Sequence, residues 1–266
     1  MSATPPARAA LYILSLAAIA FAVRSFFFTP PSAIVIAVFG AVYFALFFLG
    51  IFVLRLRVFV AATVRGPDSA RGVALTFDDG PHPKWTRRTL DVLDAAGVKG
   101  TFFVVGKKAE AHPDVVKEIV DRGHTIGLHS YAHDRLFALR GPGTWRKDLT
   151  RCRRVVERAI GAKVYLFRPP IGHTNPHVAR VIRELDLDVI GWDVSARDGI
   201  SALPERVTQR ILAGARHGSI VLLHDAAERD DREPAGVIAL PSILEGLKAR
   251  DLDVVPLERM LEDAHQ

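Results

Sequence analysis

The stretch Leu75 to Pro83, "LTFDDGPHP", is an apolar, strand-like run that ends in two adjacent carboxylates and breaks into Gly-Pro-His-Pro. Glycine and two prolines stop any regular element there, so Asp78 and Asp79 sit where a strand opens into a loop. Taken alone it reads equally well as an ordinary turn, since Asp and Gly are common turn formers. The surrounding chain decides. From Arg71 onward, short β-branched or aromatic runs alternate with segments of helical period. The runs are 73–77, 101–105, 124–128, 164–168, 188–192, 219–223 and 252–256. Between them lie amphipathic stretches such as "KWTRRTLDVLDAAG" and "HPDVVKEIVDRG", several ending in Gly, the usual helix stop. Seven strands separated by helices imply a parallel α/β sheet, doubly wound or closed into a barrel.

In such barrels the chemistry sits at the carboxyl ends of the strands. The residues found there are unusual in kind: Asp78 and Asp79, then His129 with His133 beyond it, Arg168-Pro169-Pro170, Asp193 and Asp198, and His224-Asp225. In "GLHSYAH" the two histidines are four apart, so a helical turn after the third strand would project both imidazoles from one face, as paired metal ligands do. A carboxylate from position 78 or 79 would complete a two-His-one-carboxylate set with open positions for water. Neighbouring side chains diverge at a strand end, so one acid can bind metal while the other faces the water.

Upstream, the character changes. There is no acidic residue before Asp68, and two apolar stretches, about 10–28 and 32–54, stand out. The second is long enough to cross a bilayer as a helix. The first is interrupted by Arg24 and reads either as a signal-peptide core or, as we favour, the first arm of a helical hairpin turning at Thr29-Pro30-Pro31. Five arginines fall in residues 1–65, leaving 30 basic against 29 acidic residues in the remainder. The basic balance therefore belongs to the membrane flank, and no nucleic-acid footprint is implied. With Arg8, Arg55, Arg57 and Arg65 on one side of the hairpin and Arg24 on the other, the positive-inside rule puts the following domain in the cytoplasm. The lone Cys152 cannot form an internal disulfide.

"TFDDGPHP", "HSYAH", "FRPPIG", the aspartates around "GWDV" and "IVLLHD", in this order, resemble the five motifs of the polysaccharide deacetylase family, the NodB-homology or carbohydrate esterase family 4 domain, across roughly residues 70–262. The resemblance implies a distorted (β/α)7 TIM-like barrel preceded by a membrane anchor over residues 1–65. It implies a metal-dependent hydrolase that removes an N-acyl group, acetyl first of all, from an amino sugar of an envelope polysaccharide or a lipid-linked glycan at a bacterial-type inner membrane. By the same resemblance, Asp79, His129 and His133 hold a divalent metal, usually Zn2+. Asp78 is the general base, His224 the general acid, Arg168 the partner of Asp78, and Asp198, with Asp193 as rival, the partner of His224. Pro169, Pro170 and Ile171 form the substrate-side loop. Two departures touch the groove walls: Ile171 replaces the family's aromatic, and Asp198 is followed by Gly199 rather than Trp. Two other readings are a deformylase or deacetylase of an undecaprenyl-phosphate-linked sugar, and an inactive membrane-anchored carbohydrate-binding protein.

Overall fold

The computed structural model describes residues 4–198, 203–227 and 232–262. A single sheet of eight strands organises the chain after residue 60, with every pairing parallel. The strands are β1 (Ala62–Thr63), β2 (Ala74–Asp78), β3 (Thr101–Val104), β4 (Thr125–Leu128), β5 (Leu166–Phe167), β6 (Asp188–Ile190), β7 (Val194–Ser195) and β8 (Ile220–His224), in the order β1-β6-β5-β4-β3-β2-β8-β7. The sheet curls as a half-barrel whose two edge strands, β1 and β7, do not pair. Central strand β2 is buried along its whole length, which explains its near-continuous apolar run.

The sequence implied seven strands and the sheet has eight. The segment 252–256 makes only one bridge, Val254 to Val73, before Pro256 removes a donor and the chain turns into a helix. Two strands of two residues each, β1 and β7, are too short to leave a periodic signature.

Around the sheet lie α3 (Trp85–Ala95), α4 (Gly106–Ala111), α5 (Pro113–Asp121), α6 (Pro142–Ile160), α7 (Pro176–Glu184), α8 (Pro204–Gly214), α9 (Ala235–Lys248) and α10 (Leu257–Glu262). Their apolar faces close one core: Leu90 and Leu93 of α3, Trp145, Leu149 and Cys152 of α6 and Leu240 and Ile243 of α9 are all fully buried. Trp145 stacks on Phe137 at 3.8 Å between centroids and meets Phe167 edge-on. Asn175 caps α7 by accepting from the Val178 N–H at 2.7 Å, and Pro176 takes the first helical position.

Before the sheet, α1 (Pro6–Phe27) and α2 (Ala33–Phe52) form a hairpin. Both are long and apolar enough to cross a membrane, and most of their surface is not covered by protein. Ser32 caps α2, and Tyr43 meets Ser15 across the pair. At its foot, the Arg8 guanidinium donates to the carbonyls of Val58 and Arg57 at 2.8 and 2.9 Å. This joins the start of α1 to the chain leaving α2.

Candidate active site

Parallel pairing brings the strand ends to one rim. Asp78 is the register partner of His224 across β2 and β8, and Val104 that of Leu128 across β3 and β4, so His129 is the first residue beyond that edge. The His129 N–H donates to the Val104 carbonyl and the Arg168 N–H to the Leu128 carbonyl, carrying the ladder one step past the strands. The sheet register therefore assembles Asp78, His129, Arg168 and His224 without help from the loops.

The loops then bend sharply. Asp79, Ser130, His133 and Ile171 all have positive φ, at 70°, 63°, 50° and 52°. For Ile171, a β-branched residue, this is an outlier conformation of the kind that clusters at functional sites. The helical turn expected between His129 and His133 does not form. The segment is a tight irregular turn in which the His133 N–H donates to Ser130 Oγ at 3.0 Å, while Asp148 of α6 accepts from the N–H groups of Tyr131 and Ala132. The two imidazoles still converge, 5.0 Å apart, because the left-handed residues reverse the chain.

Asp79, His129 and His133 each place one ligand atom within 4.8 Å of the others. Asp79 Oδ1 lies 3.6 Å from His129 Nε2 and 3.2 Å from His133 Nε2. That oxygen is buried with no hydrogen-bond partner. His129 Nδ1 is 2.8 Å from the Arg168 carbonyl, so it carries the proton and leaves the Nε2 lone pair facing Asp79. Burial holds the His129 pKa below its ordinary value, so the ring is neutral, as a ligand must be. An orphaned carboxylate oxygen facing a tautomer-fixed imidazole fits a divalent cation. Nitrogen and oxygen donors of this kind suit zinc without excluding its neighbours in the first transition series.

Asp78 leans away from this cluster. Its Oδ1 accepts from Arg168 Nη1 at 2.8 Å, and its Oδ2 is 3.7 Å from His129 Nε2. Arg168 has no solvent exposure; it also donates to Thr76 Oγ1, the Ile190 carbonyl and the Gly191 carbonyl, and lies over the Phe103 ring at 4.2 Å. Burial pulls the guanidinium pKa down and the Asp78 charge opposes that. The fork is held on three sides by fixed oxygens, so Asp78 has a charged partner that cannot move away.

Across the rim stands His224. Its Nδ1 is 2.9 Å from Asp198 Oδ1, and its own N–H donates to Asp198 Oδ2 at 2.9 Å. Burial opposes a charge on the ring, but the charge and hydrogen bond of Asp198, with Asp79 and Asp78 farther off, outweigh it and push the pKa up to about 10. The rival Asp193 is used elsewhere: it accepts from the Ile220 N–H and the Ser219 hydroxyl. Gly199 lies outside the described residues, so the missing aromatic there has no structural counterpart to report. Pro170 is buried and Ile171 half exposed, on a loop where Gly172 packs directly under Trp192: a Cβ on Gly172 would stand 2.8 Å from the ring.

Two supporting residues received no role in the sequence reading. Lys108 Nζ donates to the carbonyls of Asp79 and Ala227, each at 2.8 Å, clamping the loop after β2 to the loop after β8. Asp225 is buried below Gly80, where even a Cβ would collide with its carboxylate, and accepts from the Thr86 hydroxyl. Burial pushes its pKa up to about 7. In the sequence Lys108 belongs to a Lys-Lys pair at a helix start, indistinguishable from a solvated surface, and only the contact across the rim gives it meaning.

A family model described as polysaccharide deacetylase matches residues 65–190. A peptidoglycan-N-acetylglucosamine deacetylase of Bacillus cereus is 31% identical over 201 residues, covering 76% of this chain and 72% of the relative. A chitooligosaccharide deacetylase of Sinorhizobium fredii is 34% identical over 167 residues, 63% of this chain and 78% of its own. The solved structure of a peptidoglycan N-acetylglucosamine deacetylase superposes with a TM-score of 0.70 at 31% identity, over 75% of this chain and 92% of its own. A pseudoenzyme of Bacillus anthracis superposes with a TM-score of 0.69 at 26% identity, over 77% of this chain and 70% of its own. Fold and site together define a carbohydrate deacetylase by class, a hydrolase of amide bonds. The chain belongs to the polysaccharide deacetylase family.

Proposed function

We propose that this protein is a membrane-anchored, divalent-metal-dependent N-deacylase that removes an acyl group, acetyl first of all, from an amino sugar of an envelope polysaccharide or a lipid-linked glycan. Residues 70–262 form the catalytic domain and residues 1–65 its anchor in a bacterial-type inner membrane. The observation that carries the reading is the pairing, on one rim, of the Asp79-His129-His133 cluster with an arginine-held Asp78 on one side and a carboxylate-held His224 on the other.

Asp79, His129 and His133 would hold a zinc-like cation, which would supply Lewis acidity to the amide carbonyl and the attacking water. Asp78, held by Arg168, takes the water's proton as the oxygen adds to the carbonyl carbon. The backbone N–H in the Pro170-Ile171 turn donates to the oxygen that gains charge. His224, held protonated by Asp198, gives its proton to the nitrogen as the C–N bond breaks, releasing a carboxylate and a free amine. Pro169, Pro170 and Ile171 face the sugar. All five central residues, Asp78, Asp79, His129, His133 and His224, are in place, which supports an active enzyme over an inactive carbohydrate-binding protein.

The test is acetate release from N-acetylglucosamine oligomers by the full chain in detergent, with zinc and with chelator. Release should stop with chelator, return with metal, and fall by about 10²- to 10⁴-fold in Asp78→Asn. Release indifferent to both would sink the proposal.

A further inference from the structure

A cavity of about 320 Å³ lies between the end of α2 and the seam of the sheet, with Phe52, Arg55, Ile171, Trp192, Asp193 and Arg197 in its lining. It is built into the joint between anchor and domain. The Thr174 N–H donates to the Ile51 carbonyl at 3.0 Å and its hydroxyl to the Gly50 carbonyl at 3.4 Å, so the last turn of α2 is stitched to the loop carrying Ile171. His173 meets Phe52 edge-on at 5.0 Å. One wall of the cavity therefore belongs to the active-site loop, and the opposite wall to a helix long and apolar enough to lie in a bilayer.

The charges in it are unbalanced. Arg55 and Arg197 are both exposed, and neither guanidinium has a hydrogen-bond or ion-pair partner among the described residues. The acid in the wall does not neutralise them. Asp193 is taken up by the Ile220 N–H and the Ser219 hydroxyl, with Arg65 and Arg216 at 3.9 and 3.8 Å. Beside the two cations the surface is apolar: Phe52 is 52% exposed, Val53 37% and Ile171 46%. Leu136 and Leu139 are exposed as well, on a loop whose Ala138 carbonyl accepts from the side chain of Asn175, next to Thr174. Unpaired arginines suit phosphate oxygens, and an apolar approach suits a chain that remains in lipid.

We propose that this cavity binds the phosphate of a lipid-linked sugar, with Arg55 and Arg197 on the phosphate, the lipid chain along the end of α2, and the sugar over the Ile171-Gly172 turn toward the metal-ligand cluster. The inference rests on the reading of the chain as a membrane-anchored deacylase and selects the lipid-linked glycan as its substrate class. A phospholipid of the bulk bilayer would match the arginines but would leave the shared wall at Ile171 without a use.

The experiment titrates the full chain in neutral detergent micelles with a long-chain polyprenyl diphosphate carrying no sugar, and reads binding directly by native mass spectrometry. Inorganic diphosphate and phosphatidylglycerol form separate arms. Polyprenyl diphosphate should bind, and Arg55→Gln with Arg197→Gln should weaken it at least about tenfold, the loss expected for charge-assisted hydrogen bonds. The paired lysine variant, which keeps both charges, should restore part of the affinity and so separate charge loss from misfolding. Unchanged affinity in the glutamine variant overturns the proposal. So does equal affinity for inorganic diphosphate, which would remove the lipid, or equal affinity for phosphatidylglycerol, which would make the cavity a bulk headgroup contact. Because no turnover is read, a protein that binds but does not hydrolyse fails the deacylase reading alone, and one that hydrolyses but does not bind fails this one alone.

Discussion

His129 and His224 stand at strand ends on the same rim, and the two sides give the same side chain different protonation states. On the β4 side, His129 is fully enclosed, its Nδ1 spent on a neutral carbonyl, and burial keeps it unprotonated. On the β8 side, His224 keeps 18% of its side chain exposed and gives its Nδ1 to the Asp198 carboxylate, which holds it protonated to about pH 10. A ligand must offer a lone pair and a general acid must carry a proton. The difference teaches that the partner of the far ring nitrogen, a carbonyl or a carboxylate, sets the protonation that each proposed role requires.

The largest test breaks the structural support on the His129 side. Arg168→Met would leave the Asp78 carboxylate buried beside an apolar side chain and strip the Thr76 hydroxyl and two carbonyls of their donor. Losing one partner of a buried pair costs about 3–5 kcal/mol, so the urea midpoint should fall steeply and activity should vanish. A variant as stable as the parent would mean that the Arg168 fork does not hold this rim together.

The next test acts on the other side. Asp198→Asn removes the carboxylate that charges His224, so the alkaline limit of the pH–rate profile should move down from about pH 10 toward the ordinary histidine value, with at least about tenfold loss of rate at pH 9. The stability sign runs the same way. A pKa raised on folding contributes fully below the unfolded value and is lost as pH rises through about 10, and the variant should lack that alkaline loss. A profile that keeps its alkaline limit would remove His224 from the role of acid.

Much of this rim was legible in the sequence because parallel strands of one sheet end together. Once "TFDD", "GLH", "LFR" and "LLH" are placed at strand ends, register alone gathers Asp78, His129, Arg168 and His224. What stayed hidden depends on contacts between segments far apart in the chain. Lys108 reaches the Ala227 carbonyl 119 residues away, and nothing in "GKKAEA" signals it. The joint of α2 with the Ile171 loop is likewise made by backbone carbonyls, which every residue carries. Sequence spacing placed His129 and His133 together but by the wrong geometry, since an i, i+4 helix and a turn with two left-handed residues can bring the same pair of rings together.

A third histidine, away from the rim, gives the smallest and sharpest test of whether the surroundings alone set imidazole charge. His124 is 4% exposed, accepts the Gly100 N–H on Nδ1 at 3.0 Å, and lies edge-on to Phe102. Burial takes its pKa down to about 4, with Lys99 adding to the effect and Asp94 opposing it. A folded pKa below the unfolded one contributes stability above about pH 6.5 and loses it as pH falls toward 4. His124→Gln can still accept the Gly100 N–H but cannot take up a proton. The difference in unfolding free energy between parent and variant, read from urea titrations, should therefore shift by about 1–2 kcal/mol in favour of the variant between pH 7 and pH 4.5. A pH-independent difference would mean that Asp94, 3.7 Å from Nε2, already charges the ring, and that a carboxylate out of hydrogen-bond range can do at His124 what Asp198 does in contact with His224.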